Sequence, residues 1–195
     1  MAASSSAAAT SDYDVFINHR GPDVKKKFAS HLYRRLLSYN LRVFLDQSEL
    51  ERGDYFDTQI EGAIRSASVH VAIFSTSYAE SVWCLNELLL MLDSKAPIVP
   101  VFYDVKPHEV RWTWYAQHIQ RLEKKRKYDP QTQEEKLRHD SATVENWRRA
   151  LSLVAGISGF ELDACNGYEL NTSPSFMFDR SYIDVSYSLP QFIFF

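Results

Sequence analysis

The sequence contains few cysteines, few glycines and no long apolar run. Its glycines never form the Gly-x-Gly-x-x-Gly turn of a dinucleotide-binding dehydrogenase, which excludes that class; they stand at positions 21, 53, 62, 156, 159 and 167. No stretch reaches the roughly 18 consecutive apolar residues of a membrane-spanning helix, so we expect no membrane contact. Only Cys84 and Cys165 are present, and residues 1–10 show no secretory signal. We therefore expect a cytoplasmic protein, with nuclear entry left open.

An excess of positive charge is also missing. Lysine and arginine total 22 against 25 acidic residues, a formal net charge of −3, so nucleic acid is not an expected partner. The histidines form no ligand spacing with either cysteine, and we predict no metal site; they stand at positions 19, 31, 70, 108, 118 and 139.

The sequence does contain an alternation of short β-type runs and helical periods, over a length that suits one domain. Runs rich in β-branched and aromatic residues predict five strands: Tyr13–Asn18, Arg42–Leu45, Val69–Phe74, Ile98–Tyr103 and Ile157–Leu162. Apolar residues at helical spacing predict helices through Val24–Leu36, Phe56–Ile64 and Leu85–Leu92, and a later one that begins near Asp140 or Ser141.

This order of elements predicts an α/β fold, an open five-stranded parallel sheet with helices on both faces. Ligands of such sheets bind beyond the carboxyl ends of the strands, where residues 20–25, 46–57 and 76–83 should share one cleft. A phosphoacceptor receiver of similar topology would carry an aspartate where the third strand ends. Phe74 and Ser75 occupy that place, which excludes the receiver class.

Trp83 and Glu87 form the first candidate site. Their i, i+4 spacing makes the two side chains neighbours, so an aromatic plate and an anion could hold a flat, cationic or sugar-bearing ligand. The leucines at 85, 88, 89 and 92 fall on roughly the opposite side of the helix, which places the acid off the main core stripe. A solvated surface glutamate beside a partly buried tryptophan is the alternative that these residues alone leave open.

Two stretches do not fit a packed core. The charge-dense segment Glu123–Asp140 is predicted to be a solvated helical excursion, with no chemistry assigned to it. The aromatic-rich stretch from residue 168 onward has no helical period and is interrupted by Pro174 and Pro190. We therefore expect a disordered segment at 1–11, one domain at 12–167 and an atypical tail at 168–195.

Several motifs together resemble the plant Toll/interleukin-1 receptor (TIR) domains, in that family's order and spacing. They are Asp14–Asp23, Ser30–Tyr33, Val43–Asp46 with Gly53, Ser81–Leu88 and Ile98–Asp104. The resemblance spans about residues 12–165 and implies the flavodoxin-like TIR fold. The nearest likeness is to short plant proteins that carry a TIR domain without nucleotide-binding or leucine-rich-repeat regions.

The resemblance implies an activity, since many plant TIR domains cleave NAD+ between nicotinamide and ribose. Some release cyclic ADP-ribose variants or related nucleotides as immune signals. The glutamate of the family's Trp-Cys-x-x-Glu motif falls on Glu87, which is expected to act ionised near the positive end of its helix. NAD+ is then the substrate, and no cofactor is expected.

The resemblance also implies binding residues. Trp83 matches a residue that lines the nucleotide pocket, and the dinucleotide-contacting loop falls on Arg20, Gly21, Pro22, Asp23, Val24 and Lys25. Gly53 lies in a loop, residues 46–57, that rearranges when the family assembles. Ser30 and His31 match a pair in one self-association surface, so copies of this chain and other TIR proteins are expected partners.

Two departures from the family qualify the catalytic interpretation. The common Phe-Arg-Gly-Glu-Asp run is replaced by residues 19–23, where Pro22 stands in place of the glutamate and removes an amide donor. We expect the final helix of the fold to be missing or replaced after residue 168. The rival hypothesis is a non-catalytic TIR module that self-associates or acts as an adaptor, since a fold alone does not establish chemistry.

Overall fold

The structure is a computed structural model, and it describes residues 12–24, 28–45, 58–112 and 114–163. The expectations for the segment 1–11, Lys25, the loop 46–57 with Gly53, and the tail 168–195 therefore lie outside the described residues. The same holds for the replaced final helix, because the description ends one residue after the last strand.

Five parallel strands form the central sheet, which confirms the predicted α/β architecture. The strands are β1 (Tyr13–His19), β2 (Val43–Leu45), β3 (Ala67–Phe74), β4 (Ile98–Tyr103) and β7 (Phe160–Leu162), in the spatial order β2-β1-β3-β4-β7. The predicted strand at residues 157–162 is shorter than expected, because its first three residues lie before β7.

Helices connect the strands on both faces of the sheet. They are α1 (Gly21–Val24), α2 (Ser30–Ser38), α3 (Thr58–Ser66), α4 (Val82–Ser94), α5 (Pro107–Trp112), α6 (Trp114–Lys124) and α7 (Ser141–Val154). A short 3-10 helix, Tyr78–Glu80, precedes α4. Helix α7 begins where it was predicted, because the Asp140 side chain accepts a hydrogen bond from the Thr143 amide at 2.7 Å. Helices α5 and α6 were not individually predicted.

Two apolar clusters lie on opposite faces of the sheet. Phe16 of β1 belongs to the cluster that contains residues of α3, α4, α6 and α7, whereas its neighbours Val15 and Ile17 belong to the cluster with α1 and α2. This alternation follows from the two-residue period of a strand. It places Asn18, two residues after Phe16, on the same face as α4.

The register of the sheet brings the carboxyl ends of β1 and β3 together. His19, the last residue of β1, pairs with Ile73, and β3 ends one residue later at Phe74. The backbone segments that leave these two strands therefore begin side by side, as expected for a parallel sheet.

The charged segment before α7 differs from its prediction. The helical excursion predicted for residues 123–140 is wrong over its centre, where β5 (Arg126–Asp129) and β6 (Glu134–Leu137) form an antiparallel hairpin. Asp129 sets the turn, because its Oδ1 accepts a hydrogen bond from the Gln131 amide at 2.9 Å. Gln133 adopts a left-handed backbone with φ 55°. This local turn chemistry outweighed the helix preference of the flanking lysines and glutamates.

No helix among the described residues combines the length and apolar character needed to cross a membrane.

His70 is a titratable group buried in the sheet itself. His70 of β3 is 0 % exposed, and its Nε2 lies 2.9 Å from the Ile64 carbonyl oxygen, so that nitrogen carries a proton and donates. Burial lowers the pKa of His70 below 6.5, and the hydrogen bond to Ile64 opposes this only in part. The folded state therefore favours the neutral ring.

This histidine predicts a pH-dependent stability. As pH falls below about 6.5, the His70 ring takes up a proton more readily in the unfolded chain than in the folded chain. The free energy of unfolding is therefore lower below that pH than above it. Urea unfolding should show a loss of up to about 1.4 kcal/mol per pH unit that His70→Gln lacks. The exposed His108→Gln is the control and should retain the wild-type slope. Equal slopes in wild type and His70→Gln would contradict the assignment.

Candidate active site

Two of the three predicted loop segments meet at the carboxyl edge of the sheet. An Arg20 guanidinium nitrogen donates to the Ser77 Oγ at 2.7 Å, which joins the residues after β1 to those after β3. The Cys84 thiol lies 3.4 Å from the His19 carbonyl oxygen and ties the start of α4 to the same strand end. The third segment, residues 46–57, lies outside the described part of the chain.

The start of α4 is set by a side-chain cap. Ser81 has an extended backbone, φ −92° and ψ 106°, and its Oγ accepts a hydrogen bond from the Cys84 amide at 3.3 Å. The helix therefore begins at Val82, and Trp83 and Glu87 lie in its first two turns. Trp83 is half-buried and packs against the larger apolar cluster.

Glu87 is buried, which corrects the expectation that it lies off the core side of its helix. Only 2 % of the residue is exposed, in line with the burial of Cys84, Leu88 and Met91. The apolar stripe was misleading because α4 packs against α3 and α7 as well as the sheet, so more than one side of the helix is covered. A carboxylate tolerates this burial only when polar partners replace water.

An asparagine supplies such a partner. The Asn18 Nδ2 donates to Glu87 Oε2 at 2.8 Å, and the Tyr78 hydroxyl donates to the Asn18 Oδ1. Neither Asn18 nor Tyr78 was singled out from the sequence. Asn18 has the pattern of an ordinary strand residue. The signal that could have found it is the two-residue period from Phe16, which places Asn18 on the face of α4.

Tyr78 remains a protonated donor in this arrangement. Complete burial raises the pKa of Tyr78 well above 10.0, with smaller contributions in the same direction from Cys84, Glu87 and Tyr115. Its ring contacts Phe74 edge-on at 4.9 Å and stacks on Tyr115 at 6.1 Å between centroids. These contacts hold the hydroxyl in place.

The loop residues expected to contact a ligand differ in how far their side chains are exposed. Gly21 is half-buried and Pro22 is exposed, both at the start of α1 next to Arg20. Asp23 belongs to the same short helix, and its side chain is outside the description. The side chain of Val24 is 0 % exposed and belongs to the apolar cluster of α2, which leaves its backbone as the part expected to contact a ligand.

Glu80 lies close to two arginines and a histidine at this edge. Its carboxylate lies 3.4 Å from Arg20, 3.4 Å from the Nε2 of His118 and 3.9 Å from Arg121. Partial burial lowers the pKa of His118, while Glu80 opposes that shift. The Arg20 guanidinium is thus held by a hydroxyl and an acid near the surface, while Glu87 lies in the interior.

Among the described residues, no group of three or more histidine, cysteine, aspartate or glutamate side chains is arranged to hold a metal ion.

The chain belongs to the TIR domain family, whose family model matches residues 12–169. Its TIR fold is shared with the TIR domains in the structure of the activated Roq1 resistosome that recognises the pathogen effector XopQ. That likeness has a TM-score of 0.66 and 36 % identity, and covers 82 % of this chain and 94 % of the other.

Curated relatives come from several plants. A protein of Brachypodium distachyon named "Probable 2' cyclic ADP-D-ribose synthase BdTIR" is 47 % identical over 104 residues, which is 53 % of this chain and 46 % of that protein. TMV resistance protein N of Nicotiana glutinosa is 34 % identical over 161 residues, 80 % of this chain and 13 % of that protein. The chain thus spans less than half the length of these relatives.

Proposed function

We propose that this chain cleaves NAD+ at the bond between nicotinamide and ribose, with Glu87 as the catalytic carboxylate. The products would be nicotinamide and ADP-ribose or cyclic ADP-ribose variants, in plant immune and cell-death signalling. The observation that carries the proposal is a buried glutamate that receives a hydrogen bond from Asn18 at the carboxyl edge of a parallel sheet. The name of the Brachypodium relative, a probable cyclic ADP-ribose synthase, supports the same chemistry.

The proposed reaction depends on charge that develops on the ribose. When the bond from C1′ to the pyridinium nitrogen breaks, its electron pair goes to nicotinamide, which leaves neutral, and the ribosyl ring becomes electron-poor. An ionised carboxylate shielded from water stabilises this transition state more strongly than an exposed one would. Water or a hydroxyl of the dinucleotide then bonds to C1′ and loses a proton. No separate general acid is needed.

The surrounding residues would bind the rest of the dinucleotide. Arg20 is the proposed partner of the phosphates, because a guanidinium forms paired hydrogen bonds with such anions. Gly21 would allow close backbone approach. Trp83 would offer an aromatic surface on the same helix as Glu87. Contacts with the ligand are also proposed for Pro22, Asp23, Val24, Lys25 and Gly53. Val24 would contact the ligand through its backbone, because its side chain is in the core.

Binding of phosphate at Arg20 requires an exchange of partners. In the free protein this guanidinium contacts Ser77 and Glu80. Glu80 also lies 3.4 Å from His118 and 3.9 Å from Arg121, so the Arg121 cation remains near its charge when Arg20 turns to a ligand. The exchange therefore does not leave an isolated carboxylate.

Self-association is the second candidate function and is compatible with the first. The Roq1 TIR domains were solved within an assembled resistosome, and this chain shares their fold. Ser30 and His31, the expected contact pair, lie at the start of α2, where His31 is exposed and Ser30 half-buried. Contacts through the loop 46–57 and with other TIR proteins are proposed on the resemblance alone.

Loss of the Glu87 charge tests the catalytic proposal. Glu87→Gln keeps the shape of the side chain but removes its charge, so the rate of nicotinamide release from NAD+ should fall by about 100-fold or more. Chromatography of the products measures this rate. Glu145→Gln, an exposed glutamate on α7, is the matched control and should match wild type.

The same assay separates the two candidate functions. A Glu87→Gln protein as active as wild type would refute the assignment of the site. A wild-type protein that forms oligomers but releases no nicotinamide would favour the non-catalytic module.

If association between copies is required, the reaction rate per molecule should depend on protein concentration. Glu87 is only 2 % exposed in the single chain, so a substrate needs a rearrangement to reach it, and association between copies is the proposed cause. The rate of nicotinamide release per molecule should therefore rise with protein concentration and level off when light scattering shows full assembly. A rate per molecule that is constant while the oligomeric state changes would remove the requirement for assembly.

A further inference from the structure

Three polar side chains form one hydrogen-bond chain inside the protein. The Tyr78 hydroxyl donates to the Asn18 Oδ1, and the Asn18 Nδ2 donates to Glu87 Oε2 at 2.8 Å. Tyr78 and Asn18 are both 0 % exposed. The three residues come from three elements, β1, the 3-10 helix and α4, so the chain crosses the junction at which the candidate site is built.

Chemistry determines the direction of these hydrogen bonds. An ionised carboxylate can only accept, so the Asn18 amide must present its NH2 group to Glu87. The amide oxygen then faces Tyr78, whose hydroxyl must donate to it. That hydroxyl also lies 3.1 Å from the Cys84 carbonyl oxygen, a second group that can only accept. A reversed amide would place two oxygen atoms against each other at Glu87.

We propose that Asn18 and Tyr78 are positioning residues for Glu87: Tyr78 orients the Asn18 amide, and the amide holds the carboxylate in its catalytic orientation. This inference rests on the proposed function. Neither residue contacts the reacting atoms; both act through Glu87.

The side chain that holds Glu87 is a neutral amide and not a cation, and this difference matters for the proposed reaction. A lysine or arginine in the place of Asn18 would also hold the carboxylate, but it would neutralise its charge. The amide supplies a strong donor and adds no net charge. The donor therefore adds no positive charge that would offset the stabilisation of the electron-poor ribosyl group by Glu87.

The position of Tyr78 is in turn fixed by its surroundings. Its ring packs edge-on against Phe74 and stacks on Tyr115, and the hydroxyl of Tyr115 donates to the Ser75 backbone carbonyl. Tyr115 is buried like Tyr78, with 1 % of the residue exposed. Its hydroxyl bonds to the backbone and not to the Asn18 amide. It therefore provides a matched control for the removal of one buried hydroxyl.

The kinetic experiment compares Asn18→Leu, Tyr78→Phe, their double variant and Tyr115→Phe in the nicotinamide-release assay. Asn18→Leu should lower kcat by roughly 10- to 100-fold, because a hydrogen bond to a charged group is lost. Tyr78→Phe should lower kcat by roughly 3- to 10-fold. The KM for NAD+ should stay near wild type in both, since neither side chain binds the substrate. Tyr115→Phe keeps the ring that stacks on Tyr78 and removes only the hydroxyl bonded to the Ser75 carbonyl, so it should lower kcat less than Tyr78→Phe does.

The double variant separates positioning from a general loss of stability. Because Tyr78 acts through Asn18, the double variant should be no slower than Asn18→Leu alone, whereas unrelated structural effects would multiply. A wild-type kcat in Asn18→Leu would overturn the inference. So would an equal loss of kcat in Tyr78→Phe and Tyr115→Phe, or multiplicative losses in the double variant.

A spectroscopic measurement judges the hydrogen-bond chain without turnover. The side-chain amide resonances of Asn18 in the NMR spectrum should move in Tyr78→Phe and in Glu87→Gln, and should stay in place in Tyr115→Phe. Unmoved resonances in the first two variants would refute the chain itself. If these resonances move but wild type releases no nicotinamide, the proposed function fails and the positioning role falls with it, while the hydrogen bonds stand.

Discussion

The hydrogen bond between Asn18 and Glu87 is the interaction on which the candidate site depends. A carboxylate that is 2 % exposed would be costly in an apolar cluster without a donor in reach. Asn18 is in reach because β1 runs between β2 and β3 and directs the side chains of Phe16 and Asn18 to the same face. Ser81 caps α4 and thereby fixes the residue at which the helix begins. Strand register and helix cap together bring two polar groups 2.8 Å apart across 69 residues of sequence.

The charged side chains at the carboxyl edge of the sheet lie at different depths below the protein surface. Arg20 lies near the surface with Ser77 and Glu80, whereas the Glu87 carboxylate lies inside among aromatic and aliphatic side chains. A dinucleotide carries negative charge on its phosphates and gains positive charge at one ribose when nicotinamide leaves. The proposed reaction matches this arrangement, with the phosphates at the arginine and the reacting ribose at the glutamate.

Local patterns in the sequence were sufficient for much of the fold. The β-branched runs predicted all five strands of the sheet, and Asp140 predicted the start of α7. The hairpin at 126–137 was missed because its charged residues have no apolar period, and a turn at Asp129 decides its structure. The burial of Glu87 and its pairing with Asn18 were missed for another reason: both depend on contacts between elements distant in sequence. The stripe on α4 marks its apolar residues but does not show how many sides of the helix are covered.

The central claim is that the Glu87 carboxylate meets the developing positive charge on ribose while Asn18 holds it. A crystal structure of the assembled protein with a non-cleavable NAD+ analogue tests this most directly. In this complex a carboxylate oxygen of Glu87 should lie about 3.5 Å from the ribosyl C1′. The hydrogen bond from Asn18 to Glu87 should be retained. A Glu87 side chain that points away from the anomeric carbon in every assembled copy would contradict the account.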